Sequence, residues 1–147
     1  MEIERKYLIE TIPFNLENYP QQKIVQGYLS TNPVVRIRRS NDEYILTYKG
    51  KGLMVREEYN LPLTAEAFEH MIPKCDGHVI EKTRYLIPYM EKYTIELDVF
   101  HNDLSPLTLA EVEFTSEEDA NSFIAPDWFG EDVTFSSKYH NSNLSKL

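Results

Sequence analysis

Residues 34–61 read VVRIRRSNDEYILTYKGKGLMVREEYNL. The segment holds three extended runs, 34–39, 43–49 and 53–61, separated by the turn signals Asn41-Asp42 and Lys49-Gly50-Lys51-Gly52. Such runs with short polar turns predict antiparallel hairpins. The Gly-Lys stretch is too short for a phosphate-binding loop and leads into a strand, so it reads as a hairpin turn with Lys49 pointing inward. Within the runs, charge and apolar character alternate. Arg36 and Arg38 oppose Val35 and Ile37; Thr47 and Lys49 oppose Tyr44, Leu46 and Tyr48; Arg56 and Glu58 oppose Val55 and Tyr59. Successive strand side chains point to opposite faces, so each run has one charged and one apolar face.

The same pattern extends outward. Residues 2–9, 24–30, 78–88, 92–100 and 107–115 complete eight candidate strands, and a ninth short piece is expected at 132–136. Glu2, Glu4 and Lys6 oppose Ile3, Arg5 and Tyr7; Lys82 and Arg84 oppose Thr83, Tyr85 and Ile87; Glu96 and Asp98 oppose Ile95, Leu97 and Val99; Glu111 and Glu113 oppose Val112 and Phe114. Helices are few: Thr64 caps one over 65–72, Ser116 caps one over 117–124, and 140–147 can form one turn. The predicted fold is α+β, mainly β: an eight-stranded antiparallel barrel with short helices outside. A chain of 147 residues with 41% apolar content fits a single domain over 1–147 that needs no disulfide or metal staple.

Composition removes several classes. One cysteine, Cys75, excludes an internal disulfide and a Cys-rich zinc site. No signal-peptide pattern and no run of membrane-span length is visible, which predicts a cytoplasmic protein without membrane contact. A net charge of −9 argues against general nucleic-acid binding. Against that acidic balance, the segregation of charge stands out. One such strand is what any half-wet sheet shows, but here the signs sort by strand, with like charges at i and i+2 roughly 6.6 Å apart at ~3.3 Å rise per residue. Like charges so placed are unfavourable unless something between the strands neutralises them. In a closed sheet these groups face inward: Lys6, Arg36, Arg38, Lys49, Arg56, Lys82, Arg84 and Lys138 with Glu2, Glu4, Glu58, Glu96, Asp98, Glu111 and Glu113. Arginine-rich walls suit polyanions with many oxygens, and carboxylates without His or Cys suit hard divalent cations. Together they describe a metal–polyphosphate site.

Glu2-Ile3-Glu4-Arg5-Lys6 resembles the N-terminal ExExK signature of the CYTH superfamily, the triphosphate tunnel metalloenzymes. The resemblance continues in order through Arg36-Ile37-Arg38, Thr47-Tyr48-Lys49-Gly50, Arg56-Glu57-Glu58, Lys82-Thr83-Arg84, Glu96-Leu97-Asp98-Val99-Phe100, Glu111-Val112-Glu113 and Lys138-Tyr139-His140-Asn141. It implies an eight-stranded tunnel that binds a triphosphate and hydrolyses a phosphoanhydride bond with Mg²⁺ or Mn²⁺. It implies phosphate ligands at Lys6, Arg36, Arg38, Lys49, Arg56, Lys82, Arg84 and Lys138. It implies metal ligands among Glu2, Glu4, Asp98, Glu111 and Glu113, with Glu2 and Glu4 positioning the attacking water through the metal. Glu58 and Glu96 either ligate or orient the cations through ion pairs.

Inorganic triphosphate is the favoured substrate, because eight strands leave little chain to build a base pocket; nucleoside or thiamine triphosphates are further possibilities. The rival readings are an adenylate cyclase of the same superfamily, a polyphosphate-binding module without turnover, and a sheet whose charges only meet solvent. A monomer or a homodimer would serve equally. His70, His78, His101 and His140 show no metal spacing and read as surface or loop residues, Cys75 as an incidental thiol, and Trp128-Phe129-Gly130 as a core plug. Tyr28 is placed equally well in the tunnel or in packing.

Overall fold

The computed structural model describes residues 1–147. Nine strands form one antiparallel sheet: β1 (Glu2–Leu8), β2 (Gln21–Thr31), β3 (Val34–Ser40), β4 (Glu43–Lys49), β5 (Val55–Arg56), β6 (Glu58–Pro62), β7 (Asp76–Tyr89), β8 (Tyr93–Phe100) and β9 (Thr108–Glu113). Their order is β5-β1-β9-β8-β7-β2-β3-β4-β6. The two edge strands, β5 and β6, are consecutive in sequence with only Glu57 between them. One continuous run of chain therefore pairs with β1 at one end and with β4 at the other, which nearly closes the sheet into a barrel. The expected single strand over 53–61 is thus split at Glu57, because it must switch partners there. The expected ninth strand at 132–136 reduces to one bridge, Tyr7 to Asp132. Strands β2 and β7 run longer than the alternation indicates, since β2 carries irregular registers on both sides near Tyr28.

The helices are short and lie outside. Thr64 Oγ1 accepts from Ala67 N at 3.0 Å and starts α1 (Ala65–Met71); Ser116 Oγ accepts from Asp119 N at 3.1 Å and starts α2 (Glu117–Ser122). The tail forms α3 (Asn141–Leu144). No helix is long and apolar enough to cross a membrane. On the outer face, Ile95, Leu97, Ala110 and Val112 are buried under an aromatic layer that includes Phe114, Phe123, Phe129 and Trp128. Burying each such aliphatic side chain is worth about 1.5–3 kcal/mol, and this layer holds the barrel together. Trp128 packs edge-on against Phe14 and Phe129, as expected of a core plug. Arg5, on the same face, ties Ala120 O and Asp132 to β1.

Inside the barrel the character changes along the strands. At one end, inward-facing Ile80, Phe100 and Leu109 join Leu144 of α3 and Val133 in a second buried apolar cluster. The interior is charged only beyond this floor, so the barrel is a cup and not a passage charged from end to end.

Candidate functional site

A cavity of about 280 Å³ occupies the charged part of the barrel. Its wall includes Lys6, Arg36, Arg38, Lys49, Arg56 and Arg84 with Glu2, Glu4, Glu58, Glu96, Glu111 and Glu113. Strand alternation and register bring them together. Glu4 stands opposite Glu113 and Lys6 opposite Glu111 across β1–β9; Glu2 stands opposite Arg56 across β1–β5; Glu96 stands opposite Glu111 across β8–β9.

Some of these groups are already paired. Lys49 Nζ donates to both oxygens of Glu2 at 2.9 and 3.1 Å and lies 3.5 Å from Glu58. Lys6 lies 3.6 Å from Glu111. Arg84 donates to Glu96 at 3.1 Å and holds Asp98 bidentately at 2.7 and 3.0 Å. Three arginines have no acid partner. Arg36 donates to Thr47 Oγ1 at 3.1 Å, Arg38 to Gln26 Oε1 at 2.8 Å, and Arg56 to Gly50 O at 3.1 Å. The Arg36 Nε is buried with no partner at all, and a buried donor left unpaired is costly. Burial and the neighbouring Arg36 and Arg84 pull the Arg38 guanidinium down to about 9. Among the acids, burial together with Glu111 and Glu2 raises the Glu4 carboxyl well above the ordinary range. Burial also lifts Glu2 to about 7, while Glu58, sharing a hydrogen bond with Glu2 and facing Lys49, stays near 2 despite its own burial. The cavity is therefore unevenly paired: Arg36, Arg38 and Arg56 on β3 and β5 are surplus cation, and Glu4 and Glu113 on β1 and β9 are surplus carboxylate.

That division decides what the cavity can hold. The arginines present guanidinium forks, which match phosphate oxygens. The carboxylates offer oxygen donors alone, the chemistry of Mg²⁺ or Mn²⁺. No three acidic, His or Cys side chains already converge on one point, yet Glu4 and Glu113 face each other directly in register. Two acids opposite each other are unfavourable without a cation, so this donor set fits a hard divalent ion.

Three residues expected on the wall stand elsewhere. Lys82 and Asp98 are buried behind it, joined at 2.7 Å with no side-chain exposure on either. Arg84 and Lys82 engage both Asp98 oxygens and Asp98 is not on the cavity wall, so it pairs buried cations here instead of standing among the cavity carboxylates expected to hold a metal. Lys82 donates to Asn141 Oδ1 at 3.2 Å and so braces the C-terminal segment. Lys138 is exposed, its ammonium over the Tyr139 ring, because residues 137–139 form a short 3₁₀ turn instead of a strand. Other residues line the cavity without having been anticipated. Glu43 could have been reached by stepping back in twos from Lys49 through Thr47 and Ile45, and Asn60 by stepping two on from Glu58. His140 is not a surface residue: with Asn141 and Ser142 it lines the cavity, on a segment that has no periodic signal. Tyr28 does both things expected of it, belonging to the apolar floor and to the wall.

Residues 1–147 match the model of the CYTH domain. The chain belongs to the CYTH family. This CYTH chain is 43% identical over 148 aligned residues to an inorganic triphosphatase of Nitrosomonas europaea, covering 98% of this chain and 96% of the relative. It is 38% identical over 126 residues to an inorganic triphosphatase of Acetivibrio thermocellus, covering 82% of this chain and 78% of the relative. A crystal structure described as an inorganic triphosphatase superposes with a TM-score of 0.74 at 39% identity, covering 100% of this chain and 95% of that one.

Proposed function

We propose that residues 1–147 act as one tunnel domain that hydrolyses a phosphoanhydride bond of inorganic triphosphate with the help of Mg²⁺ or Mn²⁺. The observation that carries this reading is the unevenly paired cavity, where Arg36, Arg38 and Arg56 lack acid partners and Glu4 and Glu113 lack cation partners. The similarity to two inorganic triphosphatases supports it.

In this reading Arg36, Arg38, Arg56 and Lys6 bind phosphate oxygens and fix the polyanion along the wall. Arg84, clamped by Asp98 and Glu96, presents its remaining donor edge in a set position. Lys49 adds charge once the phosphates draw it from Glu2. Glu4, Glu111 and Glu113, with Glu2 beside them, would hold the divalent ion. When bound, that ion supplies charge neutralisation and an acidified water. The oxygen of water attacks a terminal phosphorus, the P–O bond to the bridging oxygen breaks, and orthophosphate and pyrophosphate result. The arginines stabilise the charge that grows on the leaving oxygens, which is most of what phosphoryl transfer asks of a protein.

A cyclase needs an apolar slot for adenine. Only Tyr28, Val34 and Ile45 on the wall are apolar, and they are spread among charged neighbours, so inorganic triphosphate suits the cavity better. The test is phosphate release from inorganic triphosphate, pyrophosphate, ATP and thiamine triphosphate with Mg²⁺ or Mn²⁺, each repeated with EDTA. Strong, EDTA-sensitive release from inorganic triphosphate is expected. Binding without release would favour a non-catalytic module, and loss of ATP without free phosphate would favour a cyclase.

A further inference from the structure

His140 is among the groups in the cavity that strand alternation does not place there. The segment that carries it is pinned on both sides. Lys6 Nζ donates to Tyr139 O at 3.0 Å, and Lys82 Nζ donates to Asn141 Oδ1 at 3.2 Å. The His140 backbone is also fixed, its N–H donating to Ser137 O at 3.1 Å and its carbonyl accepting from Leu144 N at 2.9 Å at the start of α3. Its imidazole lines the cavity, and no protein group hydrogen-bonds the ring. The charged groups that act on it most strongly are Lys6, Arg56 and Lys49, with Glu111 acting in the opposite sense, in a cavity that Glu2, Glu4 and Glu113 also line.

Burial and these three cations push the imidazole down to about 4. The ring is therefore neutral near pH 7, with one N–H donor and one free nitrogen. A lysine or arginine at this position would add to the crowding of like charge in the empty cavity. A neutral imidazole avoids that cost and still offers a donor to an anion. The ring shares this part of the cavity with Lys6 and Arg56.

We propose that His140 is a further substrate-contacting residue, whose imidazole N–H donates to an oxygen of the bound triphosphate beside those held by Lys6 and Arg56. This rests on the triphosphatase reading above. The contact is a binding and positioning one, made to substrate oxygen on the part of the wall that Lys6 and Arg56 share.

Two variants and one spectroscopic probe test it. His140→Leu removes the donor, and His140→Gln keeps an N–H donor without a titratable ring. Steady-state kinetics with inorganic triphosphate should show His140→Leu raising KM about tenfold, the worth of one hydrogen bond to a charged partner, with kcat within about threefold. His140→Gln should recover most of the lost KM. In the unmodified protein, the ring ¹⁵N resonances of His140 should move when inorganic triphosphate is added in EDTA, where no turnover occurs. A folded His140→Leu protein with unchanged KM would overturn the proposal, as would unmoved ring resonances while Lys6 and Arg56 signals shift. Failure of the unmodified enzyme to release phosphate from inorganic triphosphate would instead strike the functional reading itself.

Discussion

Arg38→Met should stabilise the empty protein while weakening its hold on substrate. Arg38 has no acid within ion-pair reach; its Nε donates to the amide oxygen of Gln26 at 2.8 Å, and Arg36 and Arg84 press like charge on it. Burial, reinforced by these neighbours, lowers its guanidinium to about 9. It stays charged at pH 7 whether folded or unfolded, so the penalty applies throughout the neutral range and is relieved only as pH rises through about 9. The displacement corresponds at most to about 5 kcal/mol against the folded charged form. Because Arg38 is only partly buried and opens onto the cavity, solvent reduces this to about 2 kcal/mol. Losing the bond to Gln26 costs about 1 kcal/mol. Methionine fills most of the volume, so no large void is added. The net gain is about 1 kcal/mol, which for a chain of this size raises Tm by about 2–4 °C. The assay is thermal unfolding at pH 7 in EDTA, with and without inorganic triphosphate. The variant should melt higher when empty, gain less from triphosphate than the parent, and show a raised KM. An empty variant that melts several degrees lower would refute the idea that this wall is strained by its own charge.

Glu4→Gln should abolish phosphate release with an intact fold, since burial beside Glu111 and Glu2 already works against the Glu4 charge in the empty cavity and glutamine keeps the shape without it; full activity in a folded variant would remove Glu4 from the reaction. Asp98→Asn should lower Tm by about 10 °C, because it strands the buried Lys82 and leaves Arg84 with Glu96 as its hydrogen-bonded acid, at a cost of about 3–5 kcal/mol. Burial pushes the Asp98 carboxyl up, but Arg84 and Lys82 outweigh it and hold it below the ordinary range. The stability it contributes is therefore complete above that range and lost as pH falls through its depressed value, and the variant's acid-unfolding curve should be correspondingly shallower. Lys138→Ala should leave KM unchanged and stability within about 0.5 kcal/mol, since Lys138 is exposed and off the cavity wall; a tenfold rise in KM would show that it swings inward on binding.

The barrel was legible because its signal is local. Alternation at period two marks both the strand and its charged face, and Val34–Ser40 with Glu43–Lys49 carries that signal almost without interruption. The depth of a residue inside the barrel is not local. Lys82 and Arg84 share a face and look equivalent in sequence, yet register sets Arg84 opposite Asp98 and Lys82 opposite Phe100 and Ile24. One reaches the cavity and the other lies in the boundary with the apolar floor. His140 was invisible for a related reason. It enters the cavity through the fold-back of a short irregular segment, pinned by lysines from β1 and β7, and no periodicity records that kind of contact.

The apolar floor has a bearing on traffic. Leu109, Phe100, Ile80 and Leu144 are all 2% exposed or less, so the far end offers a highly charged chain neither an exit nor solvation. A linear phosphate polymer could insert an end but could not thread through, and both products must leave by the mouth through which the substrate came. Turnover at such a site would be distributive, with one cleavage for each visit, because product at the closed end must leave before a shortened chain can re-enter.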